Sequence, residues 1–101
     1  HVIQITESGF VPGVLSASTG DVIEFVNVDT GEHIVRSNAA GVMAAAAGQW
    51  DSGLLQTGER YTVVVTGEGT VSFADAAQPQ FSGAIVVSAA APALYLPSVM
   101  R

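Results

Sequence analysis

The sequence contains no cysteine and no lysine. Without cysteine, disulfide staples, thiolate nucleophiles and thiolate–metal bonds are all excluded. The basic side chains are three arginines, Arg36, Arg60 and Arg101, set against nine acids, and the formal net charge is −6. Neutralising nucleic-acid phosphates takes clustered cations, so nucleic acid is excluded as a partner. The same deficit works against an anionic membrane surface. No apolar run approaches the roughly 18 residues of a spanning helix, so no membrane insertion is expected. Charge of either sign is scarce, at 12% of residues where about 25% is usual. A surface so poor in charge is either built from Ala, Ser, Thr and Gly or covered by a partner. At 101 residues the chain suits one small domain, with room for one core but not for a core and a deep cleft.

What is present reads as β-structure throughout. Val2-Ile3-Gln4-Ile5-Thr6 alternates and stops at Ser8-Gly9. Phe10-Val11-Pro12-Gly13 is predicted as a turn, before the strand Val14-Leu15-Ser16-Ala17. Thr19-Gly20-Asp21 turns into Val22-Ile23-Glu24-Phe25-Val26-Asn27, and a loop at Asp29–Glu32 leads to the short strand His33-Ile34-Val35-Arg36. Further strands are predicted over Arg60–Val65, Val71–Phe73 and Ala84–Ser88. Short strands with turn signals at this spacing imply an all-β sandwich or barrel. Two segments break the pattern. Ala39 to Gly48 is small and apolar, fitting one helical turn or a flat loop. Ala89-Ala90-Ala91-Pro92-Ala93 reads as a linker to an apolar tail, Leu94 to Arg101.

Several ordered motifs resemble the cupredoxin (plastocyanin-like) family over about residues 2–88. Phe10-x-Pro12 follows the first strand. Gly20-Asp21-Val22-Ile23-Glu24-Phe25-Val26-Asn27 is similar to the family's Gly-Asp-x-Val-x-Phe-x-Asn segment. Trp50-Asp51-Ser52-Gly53-Leu54-Leu55 with Gly58-Glu59 is similar to its Phe-Asp-Ser-Gly segment. Pro79, Phe81, Gly83, Ile85 and Val87 follow its closing Pro-x-Met-x-Gly-x-Ile-x-Val pattern. The resemblance implies a Greek-key β-sandwich of about seven to eight strands over 1–88, followed by an extended C-terminal linker and tail over 89–101.

The same resemblance implies where a blue-copper site would stand, and there the pattern departs. His33 stands at the first ligand position. Asp75, Gln78 and Phe81 stand where the family has Cys, His and Met. Type 1 copper takes two imidazoles and a thiolate in a trigonal set with a weak axial group. Aspartate offers a hard oxygen, glutamine a neutral carbonyl and phenylalanine nothing. The expectation is therefore no metal and no cofactor. His33 is expected at the sandwich rim, hydrogen-bonded to Asp75 or Gln78. A His33–Asp75 pair is too small a donor set for a divalent ion. His1 offers an amine and an imidazole for copper, but such a site needs a second histidine. Six or seven extended residues at about 3.3 Å each put His1 roughly 20 Å from His33.

No catalytic set is read in the remaining residues. Asp21, Asp29 and Asp51 fit turn positions where a carboxylate caps its own backbone, and Ser52 and Ser82 lack a histidine partner. The chain is not expected to be an enzyme. Leu94, Tyr95, Leu96, Pro97, Val99 and Met100 form the candidate interface, either laid back on their own sandwich or donated to a neighbour. The ending Tyr95 to Arg101 resembles the tails of secreted proteins of filamentous green bacteria, which implies export. A chain opening at His1 also fits a processed product. The reading is a secreted or cell-surface structural module forming a homo-oligomer or polymer, such as a filament or surface layer. The alternatives are a binding module using Phe81, Phe10 and Pro79 as an apolar docking face, or electron transfer with unusual ligands.

Overall fold

Alternation of apolar and polar residues sends every second side chain to one side of a strand, so a strand with one buried face reads as period two. In a computed structural model of the chain, which describes residues 1–37 and 50–89, that rule builds nine strands in two sheets. They are β1 (Val2–Thr6), β2 (Gly9–Val11), β3 (Val14–Ser18), β4 (Val22–Asn27), β5 (His33–Ser37), β6 (Asp51–Leu55), β7 (Arg60–Val64), β8 (Gly69–Asp75) and β9 (Ser82–Ser88). One sheet has the order β2-β1-β4-β7 and the other β3-β9-β8-β5-β6. The pairs β1–β4 and β3–β9 are parallel and the rest antiparallel. The all-β sandwich expected from the sequence is thus present, and no helix occurs among the described residues.

Two strands escape the sequence reading. Phe10 and Val11, expected in a turn, extend β2 and pair with Ile5 and Gln4. The reversal falls earlier, at Glu7-Ser8. There the Thr6 hydroxyl donates to the Gly9 carbonyl at 2.8 Å and accepts from the Ser8 amide at 3.1 Å. β6 is hidden because Gly53, at φ 68, interrupts its period, and its pairing with β5 shifts register between Ile34 and Arg36. The segment Ala39–Gly48 and the tail Leu94–Arg101 lie outside the described residues.

The core forms where the inner faces meet. Ile3, Ile5, Ile23 and Phe25 from the first sheet pack against Val35, Val71, Phe73 and Ile85 from the second, all buried. Phe10, Phe25 and Phe73 meet edge to face, with centroids 4.8 Å apart for Phe10–Phe73 and 5.1 Å for Phe25–Phe73. Such contacts add about 0.5–1.5 kcal/mol each beyond the area they bury.

Candidate functional site

The same alternation that fills the core also delivers polar groups to one end of it. On β8 the inward positions are Val71, Phe73 and then Asp75. On β5 they are His33, Val35 and Ser37, and on β4 they are Ile23, Phe25 and Asn27. Asp75, His33 and Asn27 are therefore carried inside by parity at the sandwich end, and each is fully buried. A buried polar group without a partner costs heavily, so these three must satisfy one another or nearby backbone.

They do. His33 Nδ1 is hydrogen-bonded to Asp75 Oδ2, and His33 Nε2 lies 2.8 Å from Asp29 Oδ2. The Oδ1 atom of Asp75 accepts from the backbone amides of Ile34, Ala77 and Gln78, at 3.2, 2.8 and 3.3 Å. Asn27 shapes the loop that brings Asp29 in. Its Nδ2 donates to the carbonyls of Gly31 and Leu55 at 2.9 and 2.8 Å, and its Oδ1 accepts from the Asp29 amide at 2.9 Å. Thr57 Oγ1 donates to the Asp29 carbonyl at 2.7 Å, fixing the loop from the other side.

A neutral imidazole has one N–H and one lone pair, whereas an imidazolium donates from both nitrogens. Between two ionised carboxylates, His33 completes both hydrogen bonds only as the cation. Burial by itself would lower the pKa of the ring. The hydrogen bonds to Asp29 and Asp75 and the two negative charges outweigh it, and the pKa is raised above the ordinary histidine value. In turn the His33 hydrogen bond holds the Asp29 carboxyl below the usual aspartate value, against a smaller opposing effect of desolvation.

His33 and Asp75 are thus joined as a pair, but His33 lies fully inside rather than at the rim. Gln78 contributes its backbone amide to Asp75, while its side-chain oxygen accepts from Gln80 Nε2 at 3.4 Å. Phe81 is partly buried and packs on the core beside Gly9. Phe10 is buried, so Phe10 and Phe81 do not form an exposed docking face. Asp29, read as a turn residue, does cap the Thr30 amide at 2.7 Å through Oδ1, yet its second oxygen reaches His33. The signal for that second role is thin: an acid four residues before a buried histidine, across a loop. His1 stands at the other end, its Nε2 2.8 Å from Asp21 Oδ2.

These donors do not fit blue copper. There is no thiolate, the single imidazole has both nitrogens committed to carboxylates, and Phe81 offers no donor. Among the described residues no group of three or more His, Cys, Asp or Glu side chains is arranged to hold a metal ion.

No family model matches the sequence, and no curated protein matches it either. Solved structures do. A reduced amicyanin variant superposes with a TM-score of 0.73 at 19% identity, over 86% of this chain and 80% of that one. A purple cupredoxin from Nitrosopumilus maritimus superposes with a TM-score of 0.73 at 22% identity, over 86% of this chain and 98% of that one. A copper-containing nitrite reductase from Thermus scotoductus SA-01 gives 0.78 at 24% identity, over 88% of this chain but 22% of the enzyme. With its two-sheet sandwich and these superpositions, the chain has the cupredoxin fold.

Proposed function

We propose that the chain is a metal-free cupredoxin-like structural module that self-associates outside the cell, with its C-terminal segment docking on a neighbouring copy. The observation that carries this reading is the commitment of both His33 nitrogens to Asp75 and Asp29. With no copper donor set, the module offers a scaffold and its edges rather than redox chemistry, and no catalytic role is assigned to it. Large apolar side chains stand exposed on both sheets, among them Val2, Val22, Val64, Val14 and Leu54.

The edge strand β7 supports strand addition. The backbone of Val65 bonds to Gly20 and Asp21, and the Glu59 carbonyl accepts from the Asn27 amide. These odd-numbered positions face β4, so Arg60, Thr62 and Val64 turn their backbone groups away from it. Such an edge accepts a further strand. Leu94–Leu96 is the apolar stretch that suits it, and Pro97 limits the pairing because it lacks an N–H.

Deletion of residues 92–101 tests the proposal, read by native mass spectrometry and sedimentation. The full chain forms higher-order species, and the truncated chain stays folded and monomeric. A truncated chain that still assembles, or one that unfolds, overturns the proposal. The latter would place the tail in the core of its own domain.

A further inference from the structure

The aspartate–histidine–aspartate array joins the loop before β5 to the end of β8, with His33 and Asp75 42 residues apart in sequence. We propose that a proton on His33 cross-links the loop 28–32 to the β8–β9 end of the sandwich, and that loss of this proton releases the Asp29 side first. The inference concerns the end of the sandwich itself and stands whether or not the chain self-associates.

The geometry fixes the order of release. Asp75 is fully buried and held by three backbone amides besides the ring. A carboxylate with that many donors has no reason to leave when His33 becomes neutral, because Nδ1–H still donates to it. The neutral ring then presents a lone pair at Nε2 toward Asp29 Oδ2, and two acceptors face each other at 2.8 Å. The Asp29 side chain is the more accessible of the two acids, at 16% exposure against 0% for Asp75. Water therefore replaces the ring on the Asp29 side.

Among the described residues, the surrounding groups leave no other positive charge to take the proton's place. The cross-strand neighbour of His33 on β6 is Leu55, which is apolar. On the loop, Glu32 lies outward and accepts from Gln56 Nε2 at 3.3 Å. Glu7, from the turn after β1, lines the shallow depression beside Asp29 together with Thr6, Val28 and Thr30. On β5, Arg36 points outward to Asp51 at 2.6 Å, and on β7, Arg60 reaches Glu24 at 3.0 Å. The charged groups in contact with the ring, Asp29 and Asp75, are both acidic, which favours the cation.

Nitrogen-detected NMR of the full 15N-labelled chain tests the proposal, with His1 as an internal reference. At mildly acidic pH, where the fold is intact, both His33 nitrogens carry protons. As the pH is raised, Nε2 is the nitrogen that loses its proton. The backbone amides of Asp29 to Glu32 shift with the same midpoint, while those of Ala77 and Gln78 stay protected from exchange. In Asp29→Ala, whose loop keeps its Asn27 and Thr57 hydrogen bonds, His33 binds its proton roughly tenfold or more weakly, as expected on removing a close opposite charge. A single neutral tautomer in the wild type at mildly acidic pH overturns the proposal. So does loss of the Nδ1 proton before that of Nε2, or an unchanged His33 midpoint in Asp29→Ala.

Discussion

Phe73 lies so close to Gly83 that a β-carbon on Gly83 would fall 2.6 Å from Phe73 Cζ and 2.6 Å from the Gly13 carbonyl oxygen. The two residues are cross-strand partners on β8 and β9. Phe73 is the ring that touches Phe10, Phe25 and Trp50, so the absence of a side chain at Gly83 lets the aromatic core close.

Gly83→Ala should therefore destabilise the chain although it adds one methyl group. One obstacle is backbone and the other is a ring locked by its neighbours, so neither yields cheaply. The expected loss is about 1–3 kcal/mol, the usual range for overpacking a tight core. Urea unfolding at unchanged m-value measures it, and a loss below about 0.3 kcal/mol would show that β8 and β9 separate easily.

Phe81→Ala probes the packing between the β8–β9 loop and Gly9. A fully enclosed ring would cost about 3 kcal/mol or more on truncation. Phe81 is only partly buried, so a loss of about 1–2 kcal/mol is expected. A change under about 0.5 kcal/mol in the same unfolding measurement would mean that the ring contributes no packing.

Much of this was legible in the sequence, and the limits have physical causes. The alternation in Val22–Asn27 and Gly69–Asp75 marks two central strands, and it also marks Asp75 as inward-facing, because it continues the parity of Val71 and Phe73. His33 and Asp75 are 42 residues apart, but both end a buried run at the same end of the sandwich, so their meeting could be anticipated. Asp29 was different. Its approach to His33 depends on the loop bend that Asn27 and Thr57 impose by hydrogen bonds, and no periodicity encodes a bend. β2 was missed because Pro12-Gly13 draws Phe10 and Val11 into the turn assignment, and β6 because Gly53 breaks the alternation.

Stability should depend on pH in a definite direction. The pKa of His33 is raised in the fold, so its contribution is complete below the unfolded histidine value of about 6.5 and fades as the pH rises through the folded value. The pKa of Asp29 is lowered, so its contribution is present above the unfolded aspartate value of about 3.9 and fades as the pH falls through the folded one. The two together place maximum stability between about pH 4 and 6.5, with losses on both sides. Urea midpoints collected from acid to alkaline pH trace this curve. A midpoint that keeps climbing above neutrality would contradict it.

The claim that this cupredoxin fold carries no copper chemistry is tested most directly by titrating the chain with Cu(II), followed by calorimetry and visible absorbance. No one-to-one site involving His33 and tighter than about micromolar, near −8 kcal/mol, is expected. Any binding that does occur should persist in His33→Gln and disappear when the amino terminus at His1 is blocked. A tight one-to-one site that His33→Gln abolishes would contradict the account.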